Sequence, residues 1–208
     1  MRVKSVEQDA LHGLHRIRSL WMGTRTSRIN ALRGFCRELG RIAQVERELA
    51  NAARHSPACT LLLRVPGIGL LTATAMVAAT SGDVTHFQDA RHFASWFGLT
   101  PREFSSGGTR HLGPISKKGD RYLRMLLTHG ARSVLRAATA AVQKGKVLGG
   151  VRQWALQVQA RSNPNKATCA LANKLARICY ATLRDHATFD EKAALERMAQ
   201  RQSFAMPA

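Results

Sequence analysis

The chain has 208 residues, 45% of them hydrophobic, which is enough to bury a core and excludes wholesale disorder. Aromatic residues make up only 6% and alanine is abundant, so the composition favours helices over a β-sandwich or a barrel. With 32 Lys and Arg against 13 Asp and Glu, the formal net charge is +19, which favours nucleic acid as the partner.

An anionic membrane surface is the rival partner for so basic a chain. The sequence contains no apolar run of membrane-spanning length, no signal-peptide pattern and no lipidation motif, so we expect no membrane partner. The four cysteines form no C-x-x-C pair and lie among apolar neighbours. They are therefore predicted to be buried thiols of a cytoplasmic protein: Cys36, Cys59, Cys169 and Cys179.

Three helical segments are predicted in a first domain, residues 1–57. They cover residues 6–22, 25–39 and 41–54, with Gly40 as a stop signal before the third. The apolar residues of the second segment are expected to face inward: Ile29, Leu32, Phe35, Cys36 and Leu39. The third segment has near-heptad spacing, which is typical of a helical hairpin or short coiled coil and equally of simple amphipathic packing.

A second domain, residues 58–145, and a third, residues 146–208, complete the predicted all-α fold. Asp120 is a good N-cap for a long helix, and residues 99–118 lack periodicity and are predicted to form a loop. The predicted helices cover residues 58–65, 70–80, 89–97, 120–141, 151–161, 165–185 and 190–200.

Two short helices joined by a Pro-Gly-x-Gly turn predict a helix-hairpin-helix at residues 61–78. The turn consists of Pro66, Gly67, Ile68 and Gly69. Such a turn points the first amides of the second helix outward, where they can hold a phosphate without reading its base. A plain αα-hairpin turn is the alternative, because Gly-x-Gly alone is a weak signal.

A serine pair lies in the predicted loop, where Ser105 and Ser106 precede Gly107 and Gly108. A hydroxyl that attacks a DNA phosphate must be exposed, and neighbouring cations stabilise the developing charge. The candidate cations around the pair are Arg102, Arg110, Lys117, Lys118, Arg121 and Arg124. By residue types alone, an ordinary flexible loop is the stronger interpretation. His111 is either a proton carrier or a solvent-facing loop residue.

The distribution of charge points to the same partner. Between Arg121 and Arg184 there are twelve Lys and Arg and no Asp or Glu, whereas solvated helices normally mix both signs. The acids are scattered, and Asp83, Asp89 and Asp120 are predicted to be turn or cap residues. We therefore expect nucleic-acid contact in this half and no metal bound by this chain.

The string GLTPREFSSGGTRHLGPISKKGDRYLRMLL, with PGIG some thirty residues before it, resembles a known family. It is similar to the bridge-RNA-guided insertion-sequence transposases of the IS one-ten, one-sixteen and nine-oh-two type. LHRIRSLWMGTRTSRINALRGFCRELG and NPNKATCALANKLARICYATL resemble further stretches of that family, so that the resemblance covers about residues 1–190.

The resemblance implies a DNA transposase whose C-terminal serine joins covalently to DNA. The family serine directly before glycine falls on Ser106, with Ser105 as the near alternative. An RuvC-like domain that binds Mg²⁺ through acids is expected upstream of residue 1, so we expect a truncated chain without that domain. The resemblance also implies a structured guide RNA and a homo-oligomer as partners.

Two other interpretations remain open at this point. In one, the chain is a non-catalytic nucleic-acid-binding module, a transposase remnant whose basic half still holds DNA or RNA. In the other, it is a helical interaction protein that acts through residues 6–54, which explains the arm but not the charge.

Overall fold

The computed structural model describes residues 6–190, and it describes side chains from residue 16 onward, except at position 18. The chain divides into two compact units, Met1–Glu48 and Leu49–Ala208. The described part is mostly helical, with one small two-stranded sheet, which confirms the predicted all-α class. All but the first residue of the helix predicted over residues 190–200 lie outside the described residues.

A single long helix, α1 (Val6–His55), replaces the three predicted N-terminal segments, so the division into segments and the hairpin alternative are wrong. Gly40 does not stop the helix, because its φ is not positive and no proline follows it. One glycine within a helix costs only about 1 kcal/mol, which strong helix formers on both sides offset.

The second segment's predicted burial is also wrong. Leu32, Phe35 and Leu39 have about half or more of their surface exposed, and Cys36 is exposed as well. Within the first unit, α1 is the one element that the structure describes, so no second element of that unit covers its apolar stripe.

The second unit contains six further helices among its described residues. They are α2 (Pro57–Leu62), α3 (Leu70–Thr80), α4 (Ala90–Trp96), α5 (Arg121–Gln143), α6 (Gly150–Ala160) and α7 (Pro164–Arg184). Their positions confirm the predicted helices of this region to within a few residues. None of the helices that the structure describes is both long and apolar enough to cross a membrane.

Helix α7 lies at the centre of the second unit and packs against α2, α4, α5 and α6. Its small buried residues, among them Ala167, Ala172 and Ala176, let the neighbouring helices approach closely. Most aromatic side chains of this core gather around α4. Phe93 meets Phe87 and Phe97 edge to face, with ring centroids 4.8 Å and 4.9 Å apart.

The region predicted to be an irregular loop contains a β-hairpin, so that prediction was wrong. Strand β1 (Pro101–Glu103) pairs antiparallel with β2 (Leu112–Ile115). Beyond them the ladder continues through a bond from Phe104 N to His111 O, 2.9 Å, and a bridge between Ser106 and Thr109. Gly107 and Gly108 are the two residues between the bridged pair, and Gly107 has the positive φ (+55°) that such a turn requires.

The Pro-Gly-Ile-Gly turn between α2 and α3 packs directly on α5. A Cβ on Gly130 of α5 would overlap the carbonyl oxygen of Gly67, and a Cβ on Gly67 would lie 2.7 Å from Cγ2 of Val134. The two backbones therefore touch, which only glycine allows. Gly130 lies nine residues after Arg121, about 13 Å along the helix, so this contact is well separated from the start of α5.

We expect Gly130→Ala to lower the free energy of unfolding by about 1–3 kcal/mol, because the new methyl group overlaps backbone that cannot move aside. Glycine to alanine within a helix is otherwise stabilising. Urea unfolding followed by circular dichroism measures the change. Gly34→Ala in α1, where a Cβ would meet no atom within 4 Å, is the control and should not be destabilising. A Gly130→Ala protein as stable as the parent would contradict the close contact.

Candidate functional site

The hairpin of residues 101–115, named here the serine hairpin, carries both candidate serines at its tip. Ser105, Ser106, Gly107 and Gly108 are all exposed, and neither glycine would meet another atom within 4 Å if it carried a Cβ. The tip thus leaves space for a bulky ligand such as a DNA phosphate.

Two close backbone contacts fix the base of the serine hairpin. A Cβ on Gly98 would overlap Lys118 O, and a Cβ on Gly119 would overlap Trp96 O. Lys117 N donates to Gly98 O at 3.1 Å, and Ser116 N donates to Thr100 O at 2.8 Å. The segments that enter and leave the hairpin therefore lie against each other, directly after α4 and directly before α5.

The side chains of Glu103, Ser105 and Arg110 form a hydrogen-bonded cluster, named here the clamp. The Ser105 hydroxyl donates to Glu103 Oε1 at 2.7 Å and accepts from His111 N at 3.3 Å. Arg110 Nε donates to the same carboxylate oxygen at 3.1 Å. The hydrogen bond from Ser105, together with the charge of Arg110, lowers the pKa of Glu103 below its ordinary value.

Ser106 is on the other face of the serine hairpin. Side chains alternate between the two faces of a strand, so Arg102, Phe104 and Ser106 share the face opposite to the clamp. Among the residues that the structure describes, the Ser106 hydroxyl has no hydrogen-bond partner. The structure thus distinguishes Ser106, the predicted family serine, from its near alternative: Ser105 is held in the clamp and Ser106 is open.

The predicted cations fall into two groups. Arg124 is half-buried, and its Nη1 donates to Phe97 O at 2.9 Å, at the C-terminal end of α4. This guanidinium holds the α4–α5 junction together. The other predicted cations are exposed, on the serine hairpin or between it and the first residue of α5: Arg102, Arg110, Lys117, Lys118 and Arg121.

The acids of the second unit up to residue 184 are all engaged locally. Asp89 and Asp120 accept from backbone amides as the N-caps of α4 and α5, as the sequence predicted. Asp83 accepts from Thr85 N at 2.8 Å within a turn, and that bond lowers the pKa of Asp83. Glu103 belongs to the clamp. These four carboxylates stabilise turns, caps and the hairpin. Glu103 is the one among them for which the structure records an ion pair, and its partner is Arg110.

A half-buried lysine adds a second structural cation. Nζ of Lys174 lies 4.0 Å from the ring centroid of Trp154, which links α7 to α6 by a cation–π contact. Burial lowers the pKa of Lys174 to about 8. Its role in packing could not be predicted from charge alone.

The described residues do not provide a magnesium site. No three His, Cys, Asp or Glu side chains converge among them, and the four carboxylates between residues 49 and 184 are spread over a turn, two helix caps and the hairpin. This donor set does not fit Mg²⁺, which prefers converging oxygen ligands.

Sequence reasoning missed Glu103 and Phe104. Gly107-Gly108 between polar and β-forming residues is a signal for a two-residue hairpin turn. Once that turn is recognised, strand alternation places Glu103 with Ser105, and Phe104 with Ser106. Sequence reasoning failed because it did not recognise the hairpin, whereas the residue types themselves were sufficient to place Glu103 and Phe104.

The clamp should be sensitive to acid. A carboxylate whose pKa is lower in the folded protein stabilises it fully above the unfolded pKa, and that contribution is lost as pH falls through the folded value. We therefore expect the hairpin amides, such as His111 N–H, to lose protection from hydrogen exchange as pH falls below the ordinary range of Glu. Glu103→Gln should remove that pH dependence, which rate measurements corrected for intrinsic exchange can test. Equal pH dependence in both proteins would contradict the clamp.

Comparison with known proteins gives consistent results. A family model described as "Transposase IS116/IS110/IS902 family" matches residues 59–145, which include α3, α4, the serine hairpin and α5. A "Probable family 20 transposase" of Pseudomonas aeruginosa is 36% identical, over 87% of this chain and 65% of its own length. The "Transposase for insertion sequence element IS1111A" of Coxiella burnetii is 30% identical, over 89% of this chain and 62% of its own.

A third relative is described as a gene-inverting protein. The "Pilin gene-inverting protein" of Moraxella bovis is 32% identical, over 64% of this chain and 39% of its own length. The chain spans less than two thirds of the length of the two transposases above. Residues 59–145 of this chain therefore match the transposase domain of the IS116/IS110/IS902 family.

Proposed function

We propose that this chain acts in DNA transposition and recombination, with Ser106 as the nucleophile that joins covalently to DNA. The observation that carries the proposal is the difference between the two serines. The Ser105 hydroxyl already donates to Glu103 and accepts from His111 N, whereas Ser106 is exposed on the other face beside two unobstructed glycines.

The proposed reaction is a transesterification. The Ser106 oxygen attacks the phosphorus of a DNA phosphodiester, a new O–P bond forms, and the bond to one deoxyribose oxygen breaks. The serine proton leaves and the released DNA hydroxyl gains one, so no water, oxidant or reductant is consumed. Reversal of the step, by attack of a different DNA hydroxyl, releases the serine and exchanges strands.

The exposed cations stabilise the charge that builds up on the phosphoryl oxygens. Arg102 shares a hairpin face with Ser106, while Lys117, Lys118 and Arg121 lead from the hairpin into α5. Arg110 stabilises the same charge after it leaves Glu103 for the phosphate. Its ion pair with Glu103 is exposed to solvent, so a phosphate can compete with the carboxylate for the guanidinium. Glu103 lies on the opposite face from Ser106, so we assign it no proton-transfer role.

The N-terminal end of α3 offers a second phosphate contact within the same proposal. Gly69 is the N-cap of this 11-residue helix and lies open to solvent, whereas Gly67 is used in packing against α5. The helix-hairpin-helix interpretation of Pro66, Gly67, Ile68 and Gly69 thus assigns the ligand to the Gly69 end of the turn.

Besides DNA, the proposed partners are a structured guide RNA and a second copy of the chain. The exposed stripe of α1 supports self-association, because Leu32, Phe35, Leu39 and Ile42 follow the three-and-four spacing of a coiled-coil seam. The basic second unit binds either nucleic acid through its phosphates.

The alternative is a non-catalytic module that binds nucleic acid without reacting with it. The long stretch without acids, Arg121 to Arg184, favours binding whether or not Ser106 reacts. The two functions share their salt-dependent affinity and differ in the covalent step.

We expect a DNA strand with a bridging phosphorothiolate, whose thiolate leaves without protonation, to trap the serine adduct. The parent protein and Ser105→Ala should form a protein–DNA band that survives denaturing electrophoresis, and Ser106→Ala should form none. Mass spectrometry of the linked peptide identifies the residue.

The other outcomes separate the hypotheses. An adduct retained in Ser106→Ala and lost in Ser105→Ala would move the nucleophile to Ser105. Salt-dependent binding without any adduct in the parent would favour the non-catalytic module instead.

The two groups of cations should respond differently to substitution. We expect Lys118→Gln to reduce the slope of log affinity against log salt by about 0.9, the release of one counterion, without loss of stability. Arg124→Gln should lower the free energy of unfolding by about 1–3 kcal/mol, because a charged hydrogen bond to Phe97 O is lost. Fluorescence anisotropy at several salt concentrations and urea unfolding measure the two effects. A change in the salt slope for Arg124→Gln, without a stability change, would contradict this division.

A further inference from the structure

Phe104 is a large aromatic side chain that the fold leaves in solvent. It is 63% exposed, although the same unit buries Phe93 and Phe97 completely. A phenyl ring gains free energy when it is covered, so this exposed ring is available for a contact that a partner completes.

The position of the Phe104 ring is fixed by its neighbours. Phe104 N donates to His111 O at 2.9 Å, which holds the residue in the ladder of the serine hairpin. A Cβ on Gly113 would lie 2.7 Å from Cε2 of Phe104, so the ring crosses the opposite strand at the one position there without a side chain. One side of the ring therefore covers Gly113, and the rest of its surface is open.

The neighbours of Phe104 on this face define what can bind. Arg102, Phe104 and Ser106 alternate along one face, so successive side chains are about 7 Å apart. The order is a cation, a flat apolar ring and a free hydroxyl. A ligand that matches this face carries an anion beside a flat aromatic surface.

A nucleotide has this combination, since each base carries a π-face next to its backbone phosphate. Within a duplex, however, stacking on neighbouring bases hides that face, and only an unpaired or extruded base can lie on a side chain. The charge of the chain, +19, favours a nucleic-acid strand over a second copy of this equally basic protein.

We propose that Phe104 stacks on an unpaired DNA base next to the phosphate that Ser106 faces, so that the serine hairpin prefers DNA whose bases are locally unstacked. This deepens the proposed function, and it rests on that function for the identity of the neighbouring phosphate alone. The preference follows from stacking, so it depends on unpairing and is tolerant of base sequence.

The test uses the full chain with two DNA probes: a duplex with a one-nucleotide gap opposite 2-aminopurine, and the same duplex without the gap. Affinity is measured by anisotropy, and stacking by the fluorescence of 2-aminopurine. All proteins carry Ser106→Ala, so that no covalent step contributes and a failed adduct assay does not affect the result.

Phe104→Leu should weaken binding to the gapped probe about tenfold and remove the fluorescence change, because stacking of one base on an aromatic ring is worth about that factor. Its affinity for the intact duplex should stay within about twofold, since phosphate contacts remain. Phe104→Tyr should retain both properties. Leu112→Ala is the matched control, since Leu112 is 52% exposed on the clamp face of the same hairpin and should leave both probes unaffected.

Hydrogen exchange at His111 N–H checks that the hairpin of each variant is intact. The proposal is overturned if Phe104→Leu, with its hairpin intact, binds both probes as the Ser106→Ala parent does, or loses affinity for both equally. It is also overturned if Phe104→Leu changes the sedimentation of the protein and not its DNA binding, which would make the ring a contact between copies.

Discussion

The serine hairpin depends on a backbone contact between the segments that enter and leave it. Gly98 lies against Lys118 O and Gly119 lies against Trp96 O, so a side chain at either glycine would push the two segments apart. Gly119 has a φ of +107°, which L side chains rarely adopt. Arg124 reinforces the contact through Phe97 O. Helices α4 and α5 both pack on α7, so the base of the hairpin is held against the helical core. The exposed tip projects from that fixed base.

Strand alternation in the hairpin places its functional side chains on two opposite faces. Glu103 and Ser105 are on one face with Arg110. On that face, Ser105 and Arg110 both donate hydrogen bonds to the Glu103 carboxylate. Ser106 is on the other face beside Phe104 and Arg102. Glu103 and Ser105 are two residues apart on one strand and therefore share a face at any register, whereas Arg110 joins them from the opposite strand. The turn at Gly107-Gly108 fixes the register and so brings Arg110 and His111 N beside Glu103 and Ser105.

Much of the second unit could be predicted from the sequence. Helices α3 and α5 follow from apolar periodicity bounded by Gly69 and by the Asp120 cap, because these signals are local. The hairpin was missed because its strands are only three and four residues long and mostly exposed, which leaves no hydrophobic alternation to detect. The continuity of α1 was missed because Gly40 stops a helix only where the chain needs a left-handed residue. The separation of Ser105 from Ser106 depends on pairing across the hairpin, which residue types do not specify.

The distribution of acids explains why the charge of this fold remains available to a ligand. In the second unit, Asp83, Asp89 and Asp120 bind backbone amides, and Glu103 binds Ser105 and Arg110. Each of these carboxylates stabilises the chain locally, so they neutralise little of the basic surface. Mutual repulsion of the remaining cations opposes the compact state. A bound polyanion relieves that repulsion, so nucleic acid should stabilise the fold as well as occupy its surface. This coupling is strongest where exposed cations are densest in sequence, from Lys117 to Arg121, directly beside the base that holds the serine hairpin.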